Sequence, residues 1–168
     1  MTTLHAAIPA RWRPYTARDV VVIARPPVDT GWFCTSVLIG RDDVARHVPL
    51  RALFYETRAA LDALGDEVEV VGERVSIDAD HERVSRLVCF DLAGRAGRVA
   101  QLQCFVASLS TDSATRTVVQ FAGTCAFDEL DRYGPVFVRV IESIRLRAEP
   151  ESSEDSGLAG DNVPPRHR

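Results

Sequence analysis

Four strand-like runs, separated only by short turns, fill the chain from Glu67 to Ala126 and constrain its fold more than any other feature. Glu67–Ile77 alternates and is broken at Gly72, and Glu82–Leu92, Arg98–Ser108 and Arg116–Ala126 follow. Ala93-Gly-Arg-Ala-Gly97 and Thr111-Asp-Ser-Ala114 have the composition of turns. Connections this short join antiparallel neighbours, since a parallel pair needs a crossover of about a dozen residues. The last two runs also fix which residues share a face. Leu102, Cys104 and Val106 lie opposite Gln101, Gln103 and Phe105; Val119, Phe121 and Cys125 lie opposite Gln120, Ala122 and Thr124.

Around this meander the elements are fewer. Residues 1–16, with Pro9 and Pro14, form an arm or edge segment. Asp19–Arg25 is β-branched and reads as a strand, ended by Pro26-Pro27. Val28–Gly31 is a turn, and Trp32–Gly40 is a second strand that pairs with the first as a hairpin. Pro49 suits the first turn of a helix, where its missing N–H costs nothing. Leu50, Leu53, Phe54, Thr57, Leu61 and Leu64 then share one helical face, and Gly65 is placed to end the helix. Arg51, Glu56, Arg58 and Asp62 are expected to face water. A second helix is expected from Phe127-Asp128, interrupted at Gly134-Pro135, with Phe137, Val138, Val140 and Ile141 as its apolar stripe. Ser143–Leu146 reads as a short closing strand. Residues 148–168 turn to Glu, Ser, Asp, Gly and Pro, the composition of a disordered acidic tail. The order gives an α+β domain over 1–147, a mostly antiparallel sheet flanked by helices.

At 168 residues and 46% hydrophobic, such a chain buries an adequate core without a metal or disulfide staple. A net charge of −4 and a pI near 5.6 fit poorly with nucleic-acid binding. All 20 basic residues are arginine, which reads as GC-rich coding of the actinobacterial type rather than as a recognition surface. No apolar run reaches bilayer length, so no transmembrane segment is expected. The N-terminus has neither a basic-then-apolar leader nor a lipobox cysteine, and the expected location is the cytoplasm. Cys34, Cys89, Cys104 and Cys125 form no CxxC pair and sit in apolar runs, so all four are expected to be buried, reduced and structural.

Tests for chemistry give few candidates. Asp78, Asp80, His81 and Glu82 cluster within five residues, but without the ligand spacing or glycine of a calcium loop. They read as a solvated hairpin turn, and no metal is assigned. No Gly-x-Ser-x-Gly elbow exists, and Gly94–Gly97 lacks the Lys-Ser/Thr of a phosphate loop, so no catalytic residue and no cofactor are assigned. Four aromatics remain as binding candidates. Trp12 and Tyr15 are interleaved with Arg11 and Arg13, and either touch a partner or cover the core edge. Trp32 and Phe33 follow the Gly31 turn, and are either anchors for a partner or a plug for the end of the core.

The segment Val20–Val44 resembles the opening hairpin of DcrB-related and LpqN-like bacterial proteins. Gly97-Arg-Val-Ala-Gln-Leu-Gln103 resembles that family's Gln-bearing strand, and Phe127–Arg147 resembles its closing helix and final strand. The resemblance spans roughly residues 18–147, in one order. It implies the PsbP-like α/β/α sandwich. It also implies a mainly non-enzymatic group that includes lipoproteins, secretion-associated proteins, a photosystem subunit and a Ran-binding import factor, with no shared catalytic residues. The expected function is a non-catalytic adaptor that binds a protein partner, associated with secretion or the envelope. The alternative is a small-molecule or lipid carrier with a pocket between sheet and helix. An adaptor implies an exposed apolar patch near Trp32. A carrier implies a closed apolar cavity of about 300 Å³ or more, and an enzyme implies convergent titratable groups in one cleft.

Overall fold

The computed structural model describes residues 2–15, 22–27, 32–61, 65–92, 97–109 and 114–148. The turn at 28–31, most of those at 93–97 and 111–114, Leu64 and the tail from 149 lie outside the described residues. The strands are β1 (Thr2–His5), β2 (Arg13–Tyr15), β3 (Val22–Arg25) and β4 (Ser36–Ala45). After α1 (Leu50–Leu61) come β5 (Gly65–Ile77), β6 (His81–Leu92), β7 (Arg98–Ser108) and β8 (Thr115–Ala126). A 3₁₀ turn (Phe127–Glu129) leads into α2 (Leu130–Ser143), and β9 (Arg145–Ala148) closes the chain's described part.

Seven strands make one antiparallel sheet in the order β2-β3-β4-β8-β7-β6-β5, and β1 pairs with β9 in a second, two-stranded sheet. The meander β5-β6-β7-β8 is the one read from the alternation, and the hairpin partners β3 and β4 pair through Val22↔Ile39 and Ala24↔Val37. Gly72 sits at a register shift against β6, as a glycine interrupting a strand suggests.

The alternation decides which helix each face meets. Cys104, Val106, Val119, Phe121 and Cys125 form one buried cluster with Tyr133, Phe137, Val140 and Ile141 of α2. Phe105, Ala107, Val118 and Val84 form another with Leu50 and Phe54 of α1. The sheet is therefore sandwiched between the helices, an α+β fold with an α/β/α layering. Gly123 of β8 makes the α2 side possible. A Cβ there would stand 2.5 Å from Cγ of Phe137, so only glycine lets that ring lie on the strand.

Several expectations are corrected. Gly40 does not end β4, which runs on to Ala45 because residues 41–45 continue the ladder with β8; Trp32 and Phe33 therefore precede the strand. α2 is continuous through Gly134-Pro135. Pro135 forgoes the bond to the Asp131 carbonyl, and both residues lie on the exposed face of the helix, where solvent can reach that carbonyl. Residues 2–15 keep the edge position expected of them: β1 and β2 lie at sheet edges, and Leu4 pairs with Leu146 of the closing strand. On α1, Leu50, Phe54 and Leu61 are buried while Leu53 is half-buried. Cys89, Cys104 and Cys125 are buried, but Cys34 is exposed, because it lies in the segment before β4 and not inside a strand.

Candidate functional site

The four aromatic candidates do not converge. Trp12 packs edge-on to Tyr133 of α2, with centroids 6.1 Å apart, and covers the rim of the α2-side core. Tyr15 lies in β2, and its side chain is outside the described residues. Trp32 and Phe33 form their own edge-to-face pair at 5.8 Å.

Trp32 is held in place yet open. It is 43% exposed. Its indole lies against Gly97, which opens the run into β7 at φ +146°, and any Cβ at that glycine would overlap the ring. The next residue, Arg98, reaches Phe127, its guanidinium carbon 6.0 Å from the ring centroid, and Phe127 is 47% exposed. Arg98 is itself fixed by Glu69 at 2.6 Å. Thr35, fully buried, donates its hydroxyl to Glu129 at 3.5 Å and ties the segment after Trp32 to the start of α2. The starts of β4 and β7 and the end of β8 thus bring Trp32, Phe33 and Phe127 to one end of the sheet, a patch the sequence indicated only at Trp32 and Phe33. Phe127 was read as a helix start, and nothing in its local pattern marked it as exposed.

Two polar residues were missed. Arg86 on β6 is 1% exposed beneath α1. It donates to Gln103 and to the Thr57 hydroxyl, both at 2.7 Å, and its guanidinium lies 4.3 Å over the Phe54 ring. Gln103 donates onward to Gln101 along β7, and Gln101 to Thr124 of β8, so a polar chain links the three strands. Burial pulls the Arg86 pKa down, opposed by Glu73 on the neighbouring strand. The signal was available: Arg86 stands between Val84 and Val88 in the inward phase of its strand.

His81 is the other. It is 3% exposed, and its Nε2 accepts the Leu146 N–H of β9 at 3.1 Å. That bond places the ring proton on Nδ1, 3.5 Å from Asp78 Oδ1. Asp78 accepts the N–H groups of Asp80 and His81 and pairs with Arg83. These bonds, the Asp80 N–H foremost, hold its carboxyl well below the usual range. Asp78, Asp80 and His81 do approach within 4.8 Å of one another. Asp78 and His81, however, spend their lone pairs on the turn and on β9, the structural role of a hairpin turn.

Two solvent-open clefts flank the helices. One, of about 480 Å³, lies beside α2 and is lined by three arginines, Arg74, Arg83 and Arg145, among others. The other, of about 300 Å³, lies beside α1 with Asp42 and Glu56 in its wall. Neither is the closed apolar cavity expected of a small-molecule or lipid carrier. Among the described residues no helix is long and apolar enough to cross a membrane.

No protein-family model matches the sequence, and no curated protein matches it. Solved structures do match. LpqN of Mycobacterium tuberculosis, involved in cell envelope biogenesis, superposes with a TM-score of 0.70 at 10% identity, over 88% of this chain and 85% of LpqN. Cyanobacterial PsbP (CyanoP) from Synechocystis gives 0.59 at 11% identity, over 87% of this chain and 92% of CyanoP. The yeast Ran-binding protein Mog1p gives 0.53 at 10% identity, over 84% and 89%. The chain has the LpqN-like, PsbP-like fold, as the resemblance in its hairpin and closing segments implied.

Proposed function

We propose that this chain is a non-catalytic protein-binding module of an actinobacterial-type cytoplasm, serving a secretion or envelope system, and that it docks its partner on Trp32 and Phe33 beside Phe127. The observation that carries the reading is the fixed, 43% exposed Trp32 on Gly97. A large aromatic held rigid in the free protein loses little entropy on docking, and Trp is the residue most enriched at binding hot spots. The fold is that of a Ran-binding protein and of a protein involved in envelope biogenesis, which favours a partner-binding role. The chemistry of the buried groups favours a non-catalytic one. Burial pushes the Cys104 and Cys125 thiols up to about 12, far from a useful nucleophile, and the Nε2 lone pair of His81 is engaged by Leu146. Three buried thiols also suit a reducing compartment.

The test is a quantitative capture from source lysate by three tagged forms: wild type, Trp32→Ala, and Tyr55→Ala as an exposed control on α1. The expected result is one protein retained stoichiometrically by wild type and the control and reduced at least tenfold by Trp32→Ala. Equal retention by all three, or no retained protein, overturns the reading. Gly97→Ala, which must displace the indole while leaving it present, is expected to reduce capture as well.

A further inference from the structure

We infer that the cleft beside α2 is a binding site for a small organic anion with an apolar body, a carboxylate or phosphate monoester head on an alkyl or aryl tail. The inference is independent of the docking surface at Trp32, which lies elsewhere on the sheet.

The cleft exists because α2 covers only part of its face. α2 packs on β7 and β8, and the sheet extends beyond it by β6 and β5. The register determines what that uncovered flank displays. Arg74 pairs with Ser85, which pairs with Cys104; Ser76 pairs with Arg83, which pairs with Val106. Each of these cross-strand rows faces the α2 side, since Cys104 and Val106 belong to the α2-side core. Next to them Gly72, Leu87 and Leu102 form a third row. So the floor passes from polar at the β5 edge to apolar at β7.

The wall opposite is α2 itself. It contributes Ile141, buried, and Val138, which the sequence placed in the helix's apolar stripe but which lies outside the buried face, 43% exposed. Val138 thus gives the wall an exposed apolar surface opposite the apolar end of the floor. The cleft's 480 Å³ lies in the range of small-molecule sites, about 300–1,000 Å³.

The charges select the head group. Arg74, Arg83 and Arg145 line the cleft against two carboxylates, Asp78 and Glu142. Asp78 is already neutralised by Arg83 and two backbone N–H groups. Arg83 is committed in turn, to Asp78 and, at 3.5 Å, to the Ile144 carbonyl. Among the described residues Arg145 commits only its Nη1, to the carbonyls of Glu142 and Ile144. Among the described residues no hydrogen bond or ion pair engages the Arg74 guanidinium. Arg74 and Arg145 therefore present open donor edges, the fork geometry that takes a carboxylate or phosphate in pairs of hydrogen bonds. The Ser76 hydroxyl adds a neutral donor. The head sits between Arg74 and Arg145, and the tail lies on Leu102 under Val138.

Calorimetric titration of the full chain with octyl phosphate, decanoate and octyl glucoside, each below its micelle concentration, tests this. Saturable one-to-one binding is expected for at least one of the two anions, and the tighter of them identifies the head group. Octyl glucoside is expected to bind at least tenfold more weakly. Inorganic phosphate, a head without a tail, is expected to bind weakly too. Arg74→Ala with Arg145→Ala should weaken the anion at least tenfold while the melting temperature stays within a few degrees. Ser85→Phe, which fills the floor without removing charge, should weaken it likewise. Equal binding of the glucoside, an unchanged affinity in the double variant, or no saturable binding of either anion overturns the inference.

Discussion

The buried His81 predicts a defined loss of stability in mild acid. Its ring is 3% exposed, and its Nε2 holds the N–H of Leu146, a buried residue in the strand that ties residues 2–5 to the domain. Protonation removes that acceptor. Burial, with a smaller contribution from Arg83, sets the folded pKa below the ordinary value, against the opposing pull of Asp78 and Asp80. The unfolded chain therefore binds the proton first. Stability from this group is complete above about pH 6.5 and falls as pH drops towards the folded pKa. The slope cannot exceed about 1.4 kcal/mol per pH unit for one proton. Asp78 does not confuse the window, because its carboxyl stays ionised well below the usual carboxylate range and acts only in stronger acid. His81→Phe keeps a ring but removes both the acceptor and the titration. At pH 7.5 the variant should be less stable by about 1–3 kcal/mol, the cost of leaving a buried N–H without a partner. Urea denaturation of both forms from pH 7.5 to 5.0 provides the test. The wild type should lose stability faster, the two converging by up to about 2 kcal/mol between pH 6.5 and 5.0. Parallel curves, or a variant within about 0.5 kcal/mol of wild type at pH 7.5, would refute the reasoning.

Arg86→Ala should cost about 2–4 kcal/mol in chemical denaturation, since it strands Gln103 and opens a void beneath Phe54. Arg86→Met should cost less, because it fills the space and removes a cation whose Nη1 has no partner among the described residues; equal costs would count against that reading. In the native protein Cys34 should react with a thiol reagent within minutes, while Cys104 and Cys125 wait on unfolding. Rapid modification of all four would show that the core opens readily. Removing residues 149–168 should leave the melting temperature within a few degrees, because β9 pairs with β1 without them; a large drop would show that the tail packs on the domain.

The sheet was legible because its strands alternate. The period of two at 102–106 and 119–125 separates the two cores that α2 and α1 fill, and it needs no knowledge of the partner strands. Strand ends were less legible. Gly40 looks like a stop, yet the ten-residue ladder between β4 and β8 carries the chain past it, and a glycine's local preference is small beside several ladder bonds. Pro135 looks like a break for the same local reason, and an exposed carbonyl makes it tolerable. The site was legible only where a side chain's neighbours in sequence matter. Trp32 stood out by its turn, but its support on Gly97 joins residues 65 positions apart, and the Arg74, Arg83 and Arg145 cleft joins β5 and β6, aligned by their register, to β9 of the other sheet.

The width of the sheet explains why this fold has room for two surfaces. Seven strands about 4.8 Å apart span about 29 Å, while a helix is about 10 Å across. One helix per face therefore leaves most of each face to be covered by something else. On the α2 side, Leu4, Ile8, Trp12 and Val22 pack against the core from the arm and from β3. The arm thus completes the α2-side core, and that is why Trp12 is consumed by packing rather than left for a partner. The other flank, over β5 and residues 83–85 of β6, has no such cover among the described residues, and there the cross-strand rows carry arginine and serine instead of valine. The distribution of apolar and cationic groups over that flank is what a ligand with one charged end requires, and shortening its exposed apolar part by Val138→Ala should weaken the anion while leaving its salt dependence unchanged. Unchanged affinity in that variant would place the tail away from Val138 and overturn the proposed orientation.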